Sequence, residues 1–182
     1  MPAATDPKLV RPAASEYARF FAGYVERVPE NDVLSVLESQ PRLLARVVTT
    51  IPVEREKFTY APGKWTLRQL FGHLGDGERV FGFRTLAFSR ADATPLPGFD
   101  ENAYVENAPF ATTPLADLVA EFAELRAANL RLLRRADGAA WTRSGSANQN
   151  PITVRALAYV MAGHIRHHLA VMAEKYGVAA SG

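Results

Sequence analysis

The stretch from Thr153 to Tyr176 constrains the chain more than any other. Val154, Leu157, Ala158, Met161, Ile165, Leu169 and Met172 recur within it at the spacing of a single helix face. At about 100° per residue, His164 and His168 point within roughly 40° of each other, one turn apart, and both fall inside the apolar face. His167 lies about 60° to the other side of His164, at the edge of the stripe. The chain has only four histidines, and three of them are here.

The fourth is His73. Read as a helix, its segment puts His73 on one face with Leu70, Leu74, Gly77 and Phe81, while Arg68, Gly75 and Arg79 point the other way. A buried neutral imidazole needs a partner for each ring nitrogen, so three on apolar faces are costly unless something in the core binds them. A metal ion does so, and an i, i+4 histidine pair with a third histidine from a facing helix is a common three-ligand site in a bundle. His73, His164 and His168 are therefore candidate metal ligands. The competing reading of any one of them is a core histidine hydrogen-bonded to a carbonyl. His167 is read as a surface or pocket-rim residue, with ligation as its alternative.

Residues 1–14 are rich in proline and alanine without periodicity and are expected to form a loose arm. Ser15 is placed as the cap of a short helix through Tyr17, Phe20, Phe21, Tyr24 and Val25, ending before Pro29. Asn31 or Asp32 starts a longer helix carrying Val33, Leu34, Leu37, Leu44, Val47 and Val48, which Pro41 is expected to kink or split. Thr66 with Gln69 makes a capping box at the head of the His73 helix, which runs to about Ser89. Residues 91–112, with Pro95, Pro97, Gly98 and Pro109, form the longest irregular stretch, pinned by Phe99, Tyr104 and Phe110. Thr113 then caps a helix with Pro114 at its first position, stopped by Asp137-Gly138. A polar loop over 143–150 leads to the last helix, capped by Thr153. No strand is expected. The fold class is all-α: a four-helix bundle with long crossover loops, one domain over 15–176 and a tail at 177–182.

At 182 residues, 48% hydrophobic and 22% charged, the composition is that of an ordinary globular domain. A formal net charge of +2 gives no case for nucleic-acid binding. The absence of cysteine excludes disulfides, thiolate ligands and a cysteine nucleophile. No signal-peptide pattern and no membrane-length apolar run is seen, so a cytoplasmic protein without membrane contact is expected. The serines show no nucleophile-elbow spacing. Asp76 and Glu78 flank the histidine stripe as potential partners for an imidazole or as a general base, with a solvated flank as the alternative. Arg84 is about 16 Å along the axis from His73, too far to ligate, and is expected to pair with Asp100 or Glu101 or to extend toward water.

Four segments together resemble a known family. They are Tyr60 to Thr66 leading into Gly72-His73-Leu74-Gly75-Asp76-Gly77-Glu78-Arg79, Pro97 to Val105, Gly145 to Asn148 with Thr153 to Leu157, and Gly163-His164-Ile165-Arg166-His167-His168-Leu169. Across roughly 15–176 the chain resembles the DinB/YfiT-like superfamily of bacterial metal-binding four-helix bundles. The resemblance carries that family's three histidine ligands onto His73, His164 and His168. Gly75 and Gly77 stand where relatives are often bulkier or polar, which implies a roomier pocket. Members are described as metal-dependent hydrolases or as S-transferases using bacillithiol or mycothiol, and the family name implies no DNA chemistry here.

Three neutral imidazoles leave a divalent ion with an open position, the catalytic arrangement. The expectation is a metal-dependent enzyme acting on a small molecule, as a hydrolase or with an external low-molecular-weight thiol, its pocket lined by residues 91–112. The catalytic residues are not assigned. The ion is zinc, nickel or iron, since imidazole does not choose among them. A non-catalytic metal-binding bundle and a structural homodimer are the alternatives.

Overall fold

The computed structural model describes residues 6–178. Its seven α-helices are α1 Ala22–Glu26, α2 Val33–Thr49, α3 Leu67–Ser89, α4 Glu101–Asn107, α5 Leu115–Arg135, α6 Gly138–Thr142 and α7 Val154–Tyr176. A two-stranded antiparallel hairpin joins α6 to α7, with β1 Ser144–Ala147 and β2 Asn150–Thr153.

The helix starts follow local chemistry. Asp32 accepts the backbone N–H of Ser35, Thr66 and Gln69 exchange the two bonds of a capping box, and Thr153 accepts the N–H of Ala156. Gly177, at φ 64°, ends α7 in the left-handed conformation.

The four long helices form the expected bundle. Each of α2 and α3 packs against both α5 and α7, so α2 faces α3 across one diagonal and α5 faces α7 across the other. Chain neighbours α2 and α3 are thus not packing neighbours, and the seventeen residues 50–66 cross the end of the bundle. Helix α1 lies along α7, where Gly163 admits it: a Cβ there would stand 2.0 Å from the carbonyl oxygen of Tyr24.

The apolar core has two halves. One gathers Phe81, Phe88, Leu130, Leu133, Trp141 and residues 156–162; the other gathers Leu67 to Leu74, Leu115 to Phe122, Ile165 and Met172. Between them runs a buried polar layer. The guanidinium of Arg126 donates to both carboxylate oxygens of Glu78 at 2.8 and 2.9 Å and to Oε1 of Gln40 at 2.6 Å. Gln40 in turn donates to the carbonyl of Ala162 at 2.7 Å, and Asn129 to Glu78 at 2.8 Å. This layer joins all four long helices.

Several local expectations change. Of the two outcomes expected at Pro41, a kink or a split, the split is not found: α2 runs unbroken from Val33 to Thr49. The ring leaves the Leu37 carbonyl without its helical N–H, and Arg126 Nη1 donates to that carbonyl at 3.3 Å. The expected Ser15-capped helix starts only at Ala22, preceded by 3₁₀ turns at Ala14–Glu16 and Arg19–Phe21. There the carboxylate of Glu16 accepts from Thr153 and Arg155, and Tyr17 bridges to Ile152, so β2 competes for the segment. Pro114 itself takes the cap position of α5, and Thr113 donates to the Pro109 carbonyl instead.

The hairpin departs from the expectation of no strand. Its strands are four residues each, too short for alternation to register, and its turn rests on Asn148 and Gln149 at φ 51° and 61°. The 91–112 stretch holds α4, capped by Asp100, and a 3₁₀ turn at Pro109–Ala111. Of the expected N-terminal arm, residues 1–5 lie outside the described chain; Arg11 donates to the carbonyls of Val28 and Val25. Of the expected tail, residues 179–182 lie outside it and Val178 is buried.

Candidate metal centre

Helices α3 and α7 bring His73, His164 and His168 together in the bundle interior, all three buried. One ring nitrogen from each lies within 4.8 Å of the others. His164 Nε2 stands 3.0 Å from His73 Nε2 and 3.1 Å from His168 Nε2. A ring nitrogen carries either one hydrogen or one lone pair, so at most one of these contacts is an ordinary hydrogen bond. Nitrogens about 2.0–2.1 Å from a shared cation stand roughly 2.9–3.4 Å apart, depending on coordination angle. The spacing therefore fits three ligands on one ion. The Nδ1 of His168 is buried with no hydrogen-bond partner among the described residues, which makes the ring expensive as a mere packing residue.

Burial pushes the His73 imidazole down to about 4, and neighbouring His167 adds to it. Burial, then the adjoining imidazoles, lowers His164 and His168 well below their ordinary value. All three are neutral near pH 7, the form in which a lone pair is free to bind a cation.

The rings are held from all sides. The indole of Trp65 tilts over His73 at 4.8 Å between centroids, and the Trp65 carbonyl accepts the hydroxyl of Tyr176 at 2.6 Å. Tyr24 meets His164 edge-on at 5.7 Å and His167 at 5.6 Å, so α1 braces α7. Gly77 gives no extra room to a pocket, contrary to the expectation from its small size. A Cβ there would stand 2.8 Å from Cε1 of His164, so the imidazole fills the space. Gly75 would meet only Arg79, at 3.4 Å.

The flanking carboxylates divide differently from the sequence reading. Glu78 is buried and committed to Arg126, so it is neither a solvated flank nor an imidazole partner. Asp76 lies 3.8 Å from Arg79 beside a surface hollow lined by Tyr104 and Asn107. The carboxylate that reaches the centre is Glu101, on the first turn of α4, with Oε2 3.9 Å from His73 Nε2. Burial and then neighbouring Asp100 raise its pKa. The signal was present in the sequence as an aspartate cap followed by an acidic first turn, inside a loop expected to line the pocket. Arg84 donates to the carbonyl of Pro97 rather than pairing with Asp100 or Glu101. His167 is half-buried beside the trio and outside the converging group.

Two cavities adjoin the trio. One, of about 280 Å³, is lined by His73, His164, Glu101, Arg84 and the rings of Phe20, Phe21, Phe81 and Phe99. The other, of about 250 Å³, is lined by His168, His167, Tyr60, Trp65 and again Glu101.

The model of the DinB superfamily matches residues 37–172, three quarters of the chain and all three histidines. The chain belongs to the DinB superfamily. A solved structure, YfiT from Bacillus subtilis, described as a probable metal-dependent hydrolase with an unusual four-helix bundle topology, matches with a TM-score of 0.70. The match covers 82% of this chain and 88% of that one at 22% identity, a level that shows a shared fold. No curated protein matches the chain in sequence. Among the described residues of this DinB-superfamily bundle, no helix is long and apolar enough to cross a membrane.

Proposed function

We propose that this DinB-superfamily chain is a metal-dependent enzyme acting on a small molecule, with His73, His164 and His168 holding one divalent cation. The observation that carries the reading is the convergence of three buried, neutral imidazole nitrogens, with His73 and His164 lining one cavity and His168 another. A purely structural site of this kind is normally closed by four protein ligands, whereas three leave a position for a reactant. When bound, a divalent cation supplies Lewis acidity, polarising a substrate carbonyl or making a coordinating donor more acidic.

The chain supplies the rest. Glu101 stands beside the ring of His73 at the meeting point of both cavities, placed to take a proton from an attacking water or thiol and return it to the leaving group. The phenyl rings of Phe21, Phe81 and Phe99 give the first cavity apolar walls. The description of YfiT as a metal-dependent hydrolase supports hydrolysis as the first reaction class.

A specific observation favours a second class, transfer to an external thiol. The cavity beside His168 reaches Glu101 from the other side, giving two organic reactants separate approaches. Because the chain has no cysteine, the sulfur would come from a cosubstrate.

Protein purified without a metal-affinity tag should carry close to one metal per chain by elemental analysis, and less than ~0.2 in the His73→Ala, His164→Ala, His168→Ala triple variant. Equal, near-zero content in both would remove the reading. Screening the loaded protein against generic esters, and against a thiol with an electrophile, separates the two reaction classes. Inertness in both assays, with metal bound, would leave a non-catalytic metal-binding bundle.

A further inference from the structure

Arg84 lies about three turns beyond His73 on the same helix, and it is only 5% exposed. It lines the cavity that His73, His164 and Glu101 share. Its Nη2 donates to the Pro97 carbonyl at 2.9 Å, and its guanidinium carbon stands 6.0 Å from the centre of the Phe81 ring. Among the described residues no carboxylate lies at ion-pairing distance from it. The other deeply buried arginine, Arg126, has both oxygens of Glu78.

An arginine withdrawn from water is ordinarily paired, because an uncompensated buried charge is strongly unfavourable. The Pro97 carbonyl and the Phe81 ring orient this guanidinium without neutralising it. The Phe81 centroid is in turn 5.6 Å from that of His164, so one phenyl ring adjoins both the Arg84 cation and an imidazole of the trio along the wall of that cavity.

We propose that Arg84 receives the carboxylate of a small organic acid whose reacting end lies at His73, His164 and His168; this deepens the metal-dependent reading above and rests on it. The planar guanidinium matches a carboxylate through two parallel N–H donors. Asp100 and Glu101 line the same cavity and would repel a doubly charged phosphate more than a singly charged carboxylate. Phe20, Phe21, Phe81 and Phe99 suit an apolar body between the two ends, and about 280 Å³ limits it to a small molecule.

The test uses full-length protein loaded with zinc or nickel and titrated calorimetrically with ω-mercaptoalkanoic acids of increasing chain length and with their primary amides. The thiol seeks the metal, and the acid or amide reports on Arg84. At the best chain length the acid should bind about tenfold tighter than the amide or more, the worth of a hydrogen-bonded charge. The preference should vanish in Arg84→Met and persist in part in Arg84→Lys. Tight but equal binding of acid and amide overturns the Arg84 assignment while leaving the metal reading intact. Retention of the full preference in Arg84→Met overturns it as well, as does inorganic phosphate binding more tightly than every acid.

Plain alkanoates and their amides, without a thiol, are titrated in parallel. If the chain takes up no metal the metal reading fails, and the acid-to-amide ratio of these probes still decides whether Arg84 holds a carboxylate. Should Arg84→Met not fold, that ratio in the wild-type protein and in the charge-conserving Arg84→Lys decides alone.

Discussion

Position 77 has no room for a methyl group, and this makes a glycine on α3 part of the histidine cluster. A Cβ there would sit 2.8 Å from His164, while one at Gly75, two residues earlier, would sit 3.4 Å from the guanidinium of Arg79 on the outer side. Gly77→Ala should therefore turn the His164 ring and lower metal affinity by about tenfold to a hundredfold, the usual effect of disturbing a ligand's support. Gly75→Ala should leave affinity unchanged and stabilise the helix by about 0.5–1 kcal/mol. Metal titration with a chromogenic competitor, beside thermal unfolding, reads both, and equal affinities in the two variants would show that His164 is not held by this contact. The histidines were legible because ligand spacing on a helix is short-range. The support of Gly77 was not, because it depends on which helix faces it.

Among the elements, the seven-residue α4 carries Glu101, the carboxylate nearest the histidine trio. A helix this short is marginal without fixed ends. Asp100 supplies one, accepting the backbone N–H groups of Asn102 and Ala103 at 3.0 and 3.1 Å. Removing that cap by Asp100→Ala should cost about 1 kcal/mol locally and fray the turn that presents Glu101. The expected outcome is a fall in kcat with metal content unchanged, measured by steady-state kinetics and elemental analysis on one preparation. Loss of metal instead would mean that α4 serves ion retention rather than chemistry. The sequence showed residues 91–112 as a loop pinned by aromatics, and Asp100 as a cap is readable in hindsight. Seven residues, about two turns, are fewer than apolar periodicity needs to be recognised.

At the scale of the whole molecule, the polar layer and the imidazole trio share the centre of the bundle. Arg126→Met would leave Gln40 Oε1 and the Leu37 carbonyl without their donor and Glu78 without its counter-ion, with only Asn129 donating to it, and should destabilise by about 3–5 kcal/mol, whereas adding Glu78→Leu should recover part of that loss. Urea midpoints of the single and double variants check this, and additive losses would mean that the pair is not coupled.

Acid sensitivity follows from the trio. His73 falls from 6.5 unfolded to about 4 folded, so between those values the unfolded chain binds more protons. The stability of the metal-free protein from this group is present above pH 6.5 and is lost as pH falls toward 4. The loss amounts to of order 3 kcal/mol at about 1.4 kcal/mol per unit. Denaturation midpoints measured across that range should slope less in His73→Asn, and an unchanged slope would show that His73 is not buried as a neutral ring.

What the sequence determined by itself was the set of long helices, the caps of α3 and α7 and the histidines on their inner faces, because periodicity and capping are written within a few residues. Only the tertiary structure decided that α2 and α3 face each other diagonally, that Pro41 leaves α2 whole because Arg126 takes the freed carbonyl, and that Glu78 is spent on Arg126 while Glu101 reaches the centre. Each of these depends on a partner far along the chain. A charged side chain in a helix reads the same in sequence whether it meets water, a counter-ion or a cavity, and packing alone separates the three.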